Sequence, residues 1–178
     1  MNGNTELGLI HIYTGDSKGK TTAAIGLSLR AVASGLRVCI IQFMKALTEE
    51  SGEIREIKQF KNVTVKRFGG NLLGESHPPA EEIKGEIAEG LNEARRMVES
   101  DSCDMLIMDE INVAVSMGLA DLGEVLEVAR LCKGKIELVM TGRNAPKELL
   151  DIADYATEFK LIKHPFKQGI MARQGIEY

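Results

Sequence analysis

Tryptophan is absent from this sequence and aromatic residues make up only 4% of it, so any hydrophobic core must be built from aliphatic side chains. No apolar run approaches the roughly 20 residues that a membrane-spanning helix needs. The first six residues also lack the basic and apolar regions of a signal peptide. These absences lead us to expect a cytoplasmic protein with no membrane partner.

The chain also has no excess of basic charge. The formal net charge is −4 and the isoelectric point is near 5.5, which argues against nucleic acid as a partner. The three cysteines, Cys39, Cys103 and Cys132, have no metal-ligand spacing and are expected to be small buried side chains in a reducing compartment. With 44% hydrophobic and 27% charged residues, the chain is predicted to form a single domain over residues 1–178.

Short apolar segments alternate with amphipathic ones along the chain. Six segments predict β-strands, at residues 9–13, 37–43, 63–68, 104–108, 136–140 and 156–162. Four segments predict helices, at residues 21–33, 79–100, 122–132 (with Asp121 as N-cap) and about 144–153. Near-continuous apolar strands are typical of parallel sheets covered on both faces. The pattern predicts an α/β fold with a mostly parallel sheet of about six strands.

A loop rich in glycine and lysine follows the first strand. It reads Thr14-Gly15-Asp16-Ser17-Lys18-Gly19-Lys20-Thr21-Thr22, one residue shorter between its glycines than the usual G-x-x-x-x-G-K-[ST] phosphate loop. Gly15 and Gly19 permit turns that aim backbone N–H groups inward, towards an anion at the helix N-terminus. Lys20 supplies a cation for phosphate oxygens, and the Thr21 hydroxyl suits Mg²⁺. Its place between a buried strand and an Ala-rich helix favours phosphate binding over a turn with surface lysines.

Charged residues follow two later strands. Asp109 and Glu110 end the fourth, where an acid of a phosphate-loop protein holds Mg²⁺ directly or through water. The residues alone do not decide which of the two serves the metal and which serves a helix N-terminus. Arg143 follows the fifth strand and is interpreted either as a phosphate contact or as a surface residue. Arg30, further along the first helix, has the same two interpretations.

Three further segments carry weaker signals. Residues 45–52 and 69–79 follow strands and are interpreted as loops that face the substrate. The tail, residues 163–178, is basic and punctuated by glycine, and is either a lid or subunit contact or a packed extension. His11 lies inside the first strand and is expected to be a core histidine with a hydrogen-bond partner.

At this point the chain resembles the P-loop type of ATP:corrinoid adenosyltransferases, and the resemblance runs from Ile10 to Tyr178. The short spacing of the phosphate loop is the spacing of this family. The resemblance implies a P-loop NTPase-like (RecA-like) three-layer fold. The residues that carry it are Tyr13-Thr14-Gly15, 18–24, Arg30-Ala31, Gln42-Phe43-Met44-Lys45, Gly52-Glu53, Met108-Asp109-Glu110-Ile111, Thr141-Gly142-Arg143, 162–170 and 174–178.

The family implies transfer of the 5′-deoxyadenosyl group of ATP to cobalt(I) of a reduced corrinoid, with release of triphosphate. Thr21 and Glu110 would ligate Mg²⁺ (or Mn²⁺), and no residue would act as nucleophile or general base. Lys20 and Arg143 would position the reactants. ATP, the corrinoid, an electron-donating reductase and a second copy of the chain are the implied partners. The nucleotide-binding residues would be Gly15, Asp16, Ser17, Lys18, Gly19, Lys20, Thr21, Thr22, Arg30 and Arg143.

The sequence departs from the family pattern in two places. Family loops after the third strand carry a Phe and a Trp against the corrin, whereas residues 70–76 contain no aromatic residue, and Leu72 or Leu73 would fill that space. Asp16 and Ser17 stand where the family has Asn-Gly. Two other functions therefore stay open: a P-loop kinase that phosphorylates a small acceptor, and a regulatory module that binds ATP without turnover.

Overall fold

The computed structural model describes residues 7–45, 50–70 and 78–176. Strands and helices alternate along these residues as the sequence predicts. The strands are β1 Ile10–Thr14, β2 Val38–Phe43, β3 Val63–Phe68, β4 Met105–Asp109, β5 Glu137–Thr141 and β6 Tyr155–Glu158. The helices are α1 Lys20–Ala33, α2 Gly52–Ile57, α3 Ala80–Glu99, α4 Ile111–Ser116, α5 Leu122–Cys132 and α6 Lys147–Ile152, and a 3₁₀ turn spans Pro165–Gln168.

The six strands form one sheet in the order β3-β2-β4-β5-β1-β6. Every pairing is parallel, which confirms the predicted fold class. Because β5 lies between β1 and β4, the carboxyl ends of these three strands meet at one edge of the sheet. Ligands of open α/β sheets bind at this edge, so the topology places Thr14, Asp109 and Thr141 where a site is expected.

Helices cover both faces of the sheet, because successive strand residues point to opposite sides. Ile40 and Ile107 pack against α1 and α2 on one face. Ile41 and Met108 pack against the apolar stripes of α3 and α5 on the other, which also holds α4 and α6. The result is a three-layer arrangement in which the central strands are buried on both sides.

The ends of several elements follow from local chemistry. The Asp121 side chain accepts from Glu124 N at 2.9 Å, which confirms it as the N-cap of α5. Helix α1 ends just before Gly35, whose φ of +82° is the left-handed conformation that glycine adopts readily. The short helices α2 and α4 were not predicted. The sixth strand was predicted to reach residue 162, but it ends at Glu158.

The remaining predictions about buried and membrane residues have clear outcomes. Cys39, Cys103 and Cys132 are free and buried, as predicted. His11 is half-buried, and its Nε2 lies 2.6 Å from Glu137 Oε1, so this histidine does have a polar partner. Within the residues described here, no helix is long and apolar enough to cross a bilayer.

Candidate active site

The phosphate loop packs against Phe159, the first residue after β6. Phe159 N donates to Thr14 O at 2.8 Å, and Ser17 N donates to Phe159 O at 3.0 Å. Gly15 and Gly19 have φ values of +102° and +112°, which favour glycine. A Cβ on Gly15 would lie 2.6 Å from Phe159 O, and one on Gly19 would lie 3.2 Å from the Phe159 ring. Both glycines are therefore needed for the loop to lie against Phe159.

Lys20 begins α1 and folds back into the loop. Its Nζ donates to Gly15 O and Ser17 O, each at 2.7 Å, and the residue is only 6% exposed. Burial lowers the pKa of Lys20, and the nearby Glu110 carboxylate partly raises it. An ammonium group that binds carbonyl dipoles gains from an anionic partner, so the loop is suited to a phosphate group.

Asp109 is the centre of the polar network at this edge of the sheet. It is 1% exposed, and its Oδ1 accepts from Thr21 Oγ1 at 2.8 Å and from Thr141 Oγ1 at 2.7 Å. Its Oδ2 accepts from Gln42 Nε2 at 3.1 Å. A buried carboxylate needs such donors, because an unpaired buried charge is strongly unfavourable. Asp109 thus orients the Thr21 hydroxyl, whose lone pairs are left for another partner.

Glu110 follows directly and has a different environment. Its φ of +63° is unusual for a residue with a Cβ, and it turns the chain from β4 into α4. Its N–H donates to Thr141 Oγ1 at 3.0 Å. Burial, followed by the charge of Asp109, raises the pKa of the Glu110 carboxyl. A cation beside Glu110 would relieve this electrostatic penalty.

These oxygen groups fit Mg²⁺ or Mn²⁺. Both ions prefer oxygen ligands, and Mg²⁺ commonly takes one or two protein ligands together with phosphate oxygens and water. The Thr21 hydroxyl, with its proton directed to Asp109, and the Glu110 carboxylate are oxygen groups of this kind. Within the described part of the chain, no three His, Cys, Asp or Glu side chains are grouped to hold a metal by themselves.

The other predicted site residues are less tightly gathered. Arg143 is exposed, but its charge acts on both Lys20 and Glu110, so it belongs to the same edge. Arg30 lies in the last turn of α1, about 15 Å along the helix axis from Lys20, but its charge partly offsets the burial that raises the pKa of Tyr13, the residue just before the loop. Asp16 is exposed, so its carboxylate faces solvent. The remaining predicted positions, Ser17, Lys18, Thr22 and the two glycines, all lie in the loop or in the first turn of α1.

Sequence reasoning assigned no role to three residues of this network. Gln42 and Thr141 are polar residues at the ends of buried strands, a pattern that marks a residue facing the ligand edge. Phe159 had no such signal, because it was assigned to the sixth strand. The predicted substrate-facing loops fall partly on residues 46–49 and 71–77, including Leu72 and Leu73, and these residues lie outside those described. In the first of the two segments, α2 begins at Gly52.

Several known proteins are similar in sequence to most of this chain. Residues 6–178 match the sequence profile of the family ATP:corrinoid adenosyltransferase BtuR/CobO/CobP. A corrinoid adenosyltransferase of Sinorhizobium sp is 36% identical over 177 residues, which cover 97% of this chain and 81% of that protein. The corrinoid adenosyltransferase CobA of Salmonella typhimurium is 32% identical over 173 residues, covering 97% of this chain and 87% of the relative.

A third relative, a corrinoid adenosyltransferase of Pseudomonas aeruginosa, is 30% identical over 175 residues, covering 97% of this chain and 85% of the relative. The matches extend across nearly the whole chain, so they include the phosphate loop, the acidic end of β4 and the tail. The chain therefore belongs to the ATP:corrinoid adenosyltransferase family.

Proposed function

We propose that this chain transfers the 5′-deoxyadenosyl group of ATP to cobalt(I) of a reduced corrinoid and releases triphosphate. One observation carries the proposal: in a chain of this family, the Thr21 hydroxyl of the phosphate loop is bonded to the acidic end of β4. Family membership does not favour the two alternatives, a P-loop kinase and a regulatory module without turnover.

The phosphate loop would bind the triphosphate. Lys20 Nζ lies within the loop, at 2.7 Å from two of its carbonyl oxygens, and would exchange these partners for phosphate oxygens. Backbone N–H groups at the start of α1 add partial positive charge. Arg143, whose charge acts on Lys20, would contact the same phosphates from the end of β5. Arg30 lies further along α1, where its charge partly offsets the effect of burial on the pKa of Tyr13 beside the loop, and it would contact a part of the nucleotide that extends towards it.

Mg²⁺ or Mn²⁺ would be held by Thr21 and Glu110. Asp109 would act indirectly, because both of its oxygens already accept hydrogen bonds from protein groups. When bound, the ion neutralises negative charge that grows on the departing triphosphate.

The chemistry asks little of the protein beyond positioning. A bond forms between cobalt and C5′ of the ribose while the C5′–O bond breaks, and the bonding electron pair leaves with triphosphate. Cobalt(I) is a strong nucleophile and carries no proton to remove, so no general base is required. Lys20, Arg143 and the loop amides would stabilise the leaving group, and alignment of cobalt with C5′ supplies the rest of the acceleration.

Two further assignments, the reductase and the homodimer, rest on the family resemblance, and two others, the location and the single domain, rest on length and composition. A reductase would supply cobalt(I), because this state needs an electron donor that the reaction does not provide. A second copy of the chain would form a homodimer. The protein would act in the cytoplasm, as one domain over residues 1–178.

An anaerobic assay tests the proposed activity. Reduced cobalamin, ATP and Mg²⁺ are mixed with the protein, the visible spectrum is followed and the phosphate product is identified. We expect a light-sensitive adenosyl-cobalt product and triphosphate in equal amounts. ADP as the product would support the kinase instead, and bound ATP with no product would support the regulatory module.

A further inference from the structure

Three polar side chains form a row across the carboxyl ends of β3, β2 and β4. The strand register places Gln42 opposite Arg67 on one side and opposite Asp109 on the other. Arg67 Nε donates to Gln42 Oε1 at 3.1 Å, and Gln42 Nε2 donates to Asp109 Oδ2 at 3.1 Å. The row therefore connects the end of β3 to the carboxylate that orients Thr21.

The Gln42 amide has a donor end and an acceptor end, so its orientation matters. Arg67 carries only donors, and it can pair only with the amide oxygen. This pairing leaves the amide nitrogen towards Asp109. In the opposite orientation the amide oxygen would face the Asp109 carboxylate, and two acceptors would oppose each other. Gln42 is 2% exposed, so bulk water cannot compensate.

We propose that Arg67 is a positioning residue for metal-dependent ATP binding, acting through Gln42 and Asp109 on the Thr21 hydroxyl. This inference rests on the Mg²⁺–ATP site proposed above. Arg67 selects the amide orientation of Gln42, which lets Gln42 occupy Asp109 Oδ2. Asp109 Oδ1 then accepts the hydrogen bond of the Thr21 hydroxyl, and the lone pairs of the Thr21 oxygen stay available for the cation.

A further partner of Arg67, Glu50, lies outside the route to Thr21. Arg67 Nη2 lies 3.5 Å from Glu50 Oε1, and the Arg67 side chain is 10% exposed while that of Glu50 is 29% exposed. Since Glu50 lies on the side of Arg67 away from Asp109 in the hydrogen-bond chain, Glu50→Gln should leave metal dependence unchanged. If Arg67 acted instead through its ion pair with Glu50, Glu50→Gln would change the metal dependence.

Calorimetric titration with ATP, in EDTA and in saturating Mg²⁺, tests the inference. The measured quantity is the ATP dissociation constant in EDTA divided by the ATP dissociation constant in Mg²⁺. Arg67→Met keeps the length of the side chain without its donors, and we expect it to reduce this ratio by about three- to tenfold, with the EDTA value unchanged. Arg67→Lys should restore part of the ratio. Arg55→Met, at an exposed arginine of α2, is the matched control and should match the unaltered protein.

Gln42→Met supplies a second route to the same answer, should Arg67→Met fail to fold. It should lower the ratio at least as much, and the double variant should be no worse than Gln42→Met alone. A wild-type ratio in Arg67→Met, or additive losses in the double variant, would overturn the role of Arg67 and leave the metal site standing. A wild-type protein that binds ATP equally well without Mg²⁺ would overturn the metal site and this inference together.

Discussion

The two edges of the sheet use carboxylates in different ways. At the edge formed by the amino ends of the strands (the amino edge), carboxylates accept hydrogen bonds from the backbone where strands begin. Glu137 Oε2 accepts from Gly8 N and Leu9 N, at 3.0 and 3.1 Å. Asp104 Oδ2 likewise accepts from Arg37 N at 2.7 Å, just before β2. At the carboxyl edge, the Asp109 carboxylate accepts only from side chains in the contacts described above. The first edge fixes where strands start, and the second fixes how functional groups point.

The difference in burial gives this comparison an energetic meaning. Asp109 and Lys20 are at most 6% exposed, whereas the Asp104 and Arg37 side chains are 24% and 43% exposed. Burying a charged group is unfavourable unless it is fully paired, and the free-energy penalty of an unpaired charge is smaller near solvent. Substitutions at the carboxyl edge should therefore change ligand binding most, and substitutions at the amino edge should change stability alone.

The largest effect on function is expected from Lys20→Ala. It removes the ammonium group within the phosphate loop, and charge-assisted hydrogen bonds of this kind are worth about 1.5–3 kcal/mol. We expect the ATP dissociation constant to rise roughly ten- to a hundredfold, with a parallel loss of turnover. Calorimetry and the anaerobic assay measure the two quantities. Unchanged kinetics would remove the phosphate loop from the mechanism.

The neighbouring acids Asp109 and Glu110 should have different roles, one in stability and the other in metal binding. Asp109→Asn replaces one carboxylate oxygen with an amide nitrogen, which opposes the Gln42 amide nitrogen if the remaining oxygen stays with the two threonine hydroxyls, and should lower the free energy of unfolding by about 1–3 kcal/mol. Glu110→Gln should weaken the dependence of turnover on Mg²⁺ without lowering the melting temperature, because burial already disfavours the Glu110 charge.

The measurements are thermal unfolding and a Mg²⁺ titration of the rate, made on both variants under the same conditions. Loss of metal dependence in Asp109→Asn without loss of stability, together with a normal titration in Glu110→Gln, would transfer the metal to Asp109.

Phe159→Ala should have a moderate effect on nucleotide binding. The half-buried ring lies against Gly19, while the backbone hydrogen bonds to the loop do not depend on the side chain. We expect ATP affinity to fall about three- to fivefold and stability to fall by about 1–2 kcal/mol, less than for a fully buried Phe. Phe166→Ala, at a residue 63% exposed in the tail, is the control and should change neither quantity. Equal effects of both variants would mean that the contact between the Phe159 ring and Gly19 is not the cause.

The sequence predicted much of the carboxyl edge because its signals are local. The phosphate loop runs directly into α1, and Asp109 and Glu110 are adjacent at the end of β4, so each signal is contained in a few residues and indicates its own chemistry. Similarly, β2, β4 and β5 were predicted because buried parallel strands are continuous apolar runs, whereas the exposed β6 was predicted too long. Helices α2 and α4 were missed since six residues are too few to establish a helical period.

What the sequence did not predict depends on strand order. Gln42 meets both Arg67 and Asp109 only because β2 lies between β3 and β4, and Thr141 reaches Asp109 only because β5 is the next strand. Patterns along the chain do not determine that order. Phe159 is a related case: its contact with the loop exists because β6 adds beside β1, an arrangement that joins residues far apart in the sequence.

The smallest functional effect is expected from Asp104→Asn at the amino edge. Hydrogen bonds from Arg37 hold the pKa of Asp104 below its ordinary value of 3.8, so the pair stabilises the fold above about pH 4 and loses this contribution as the pH falls further. We expect the free energy of unfolding to fall by about 1 kcal/mol at pH 7, limited by solvent screening, and by less near pH 3.

Asp151→Asn, in an exposed pair with Lys147, is the control and should change stability little at either pH. The ATP dissociation constant should be unchanged in both variants, since neither contacts the carboxyl edge; a weakened affinity in Asp104→Asn would show that the two edges are coupled through the sheet.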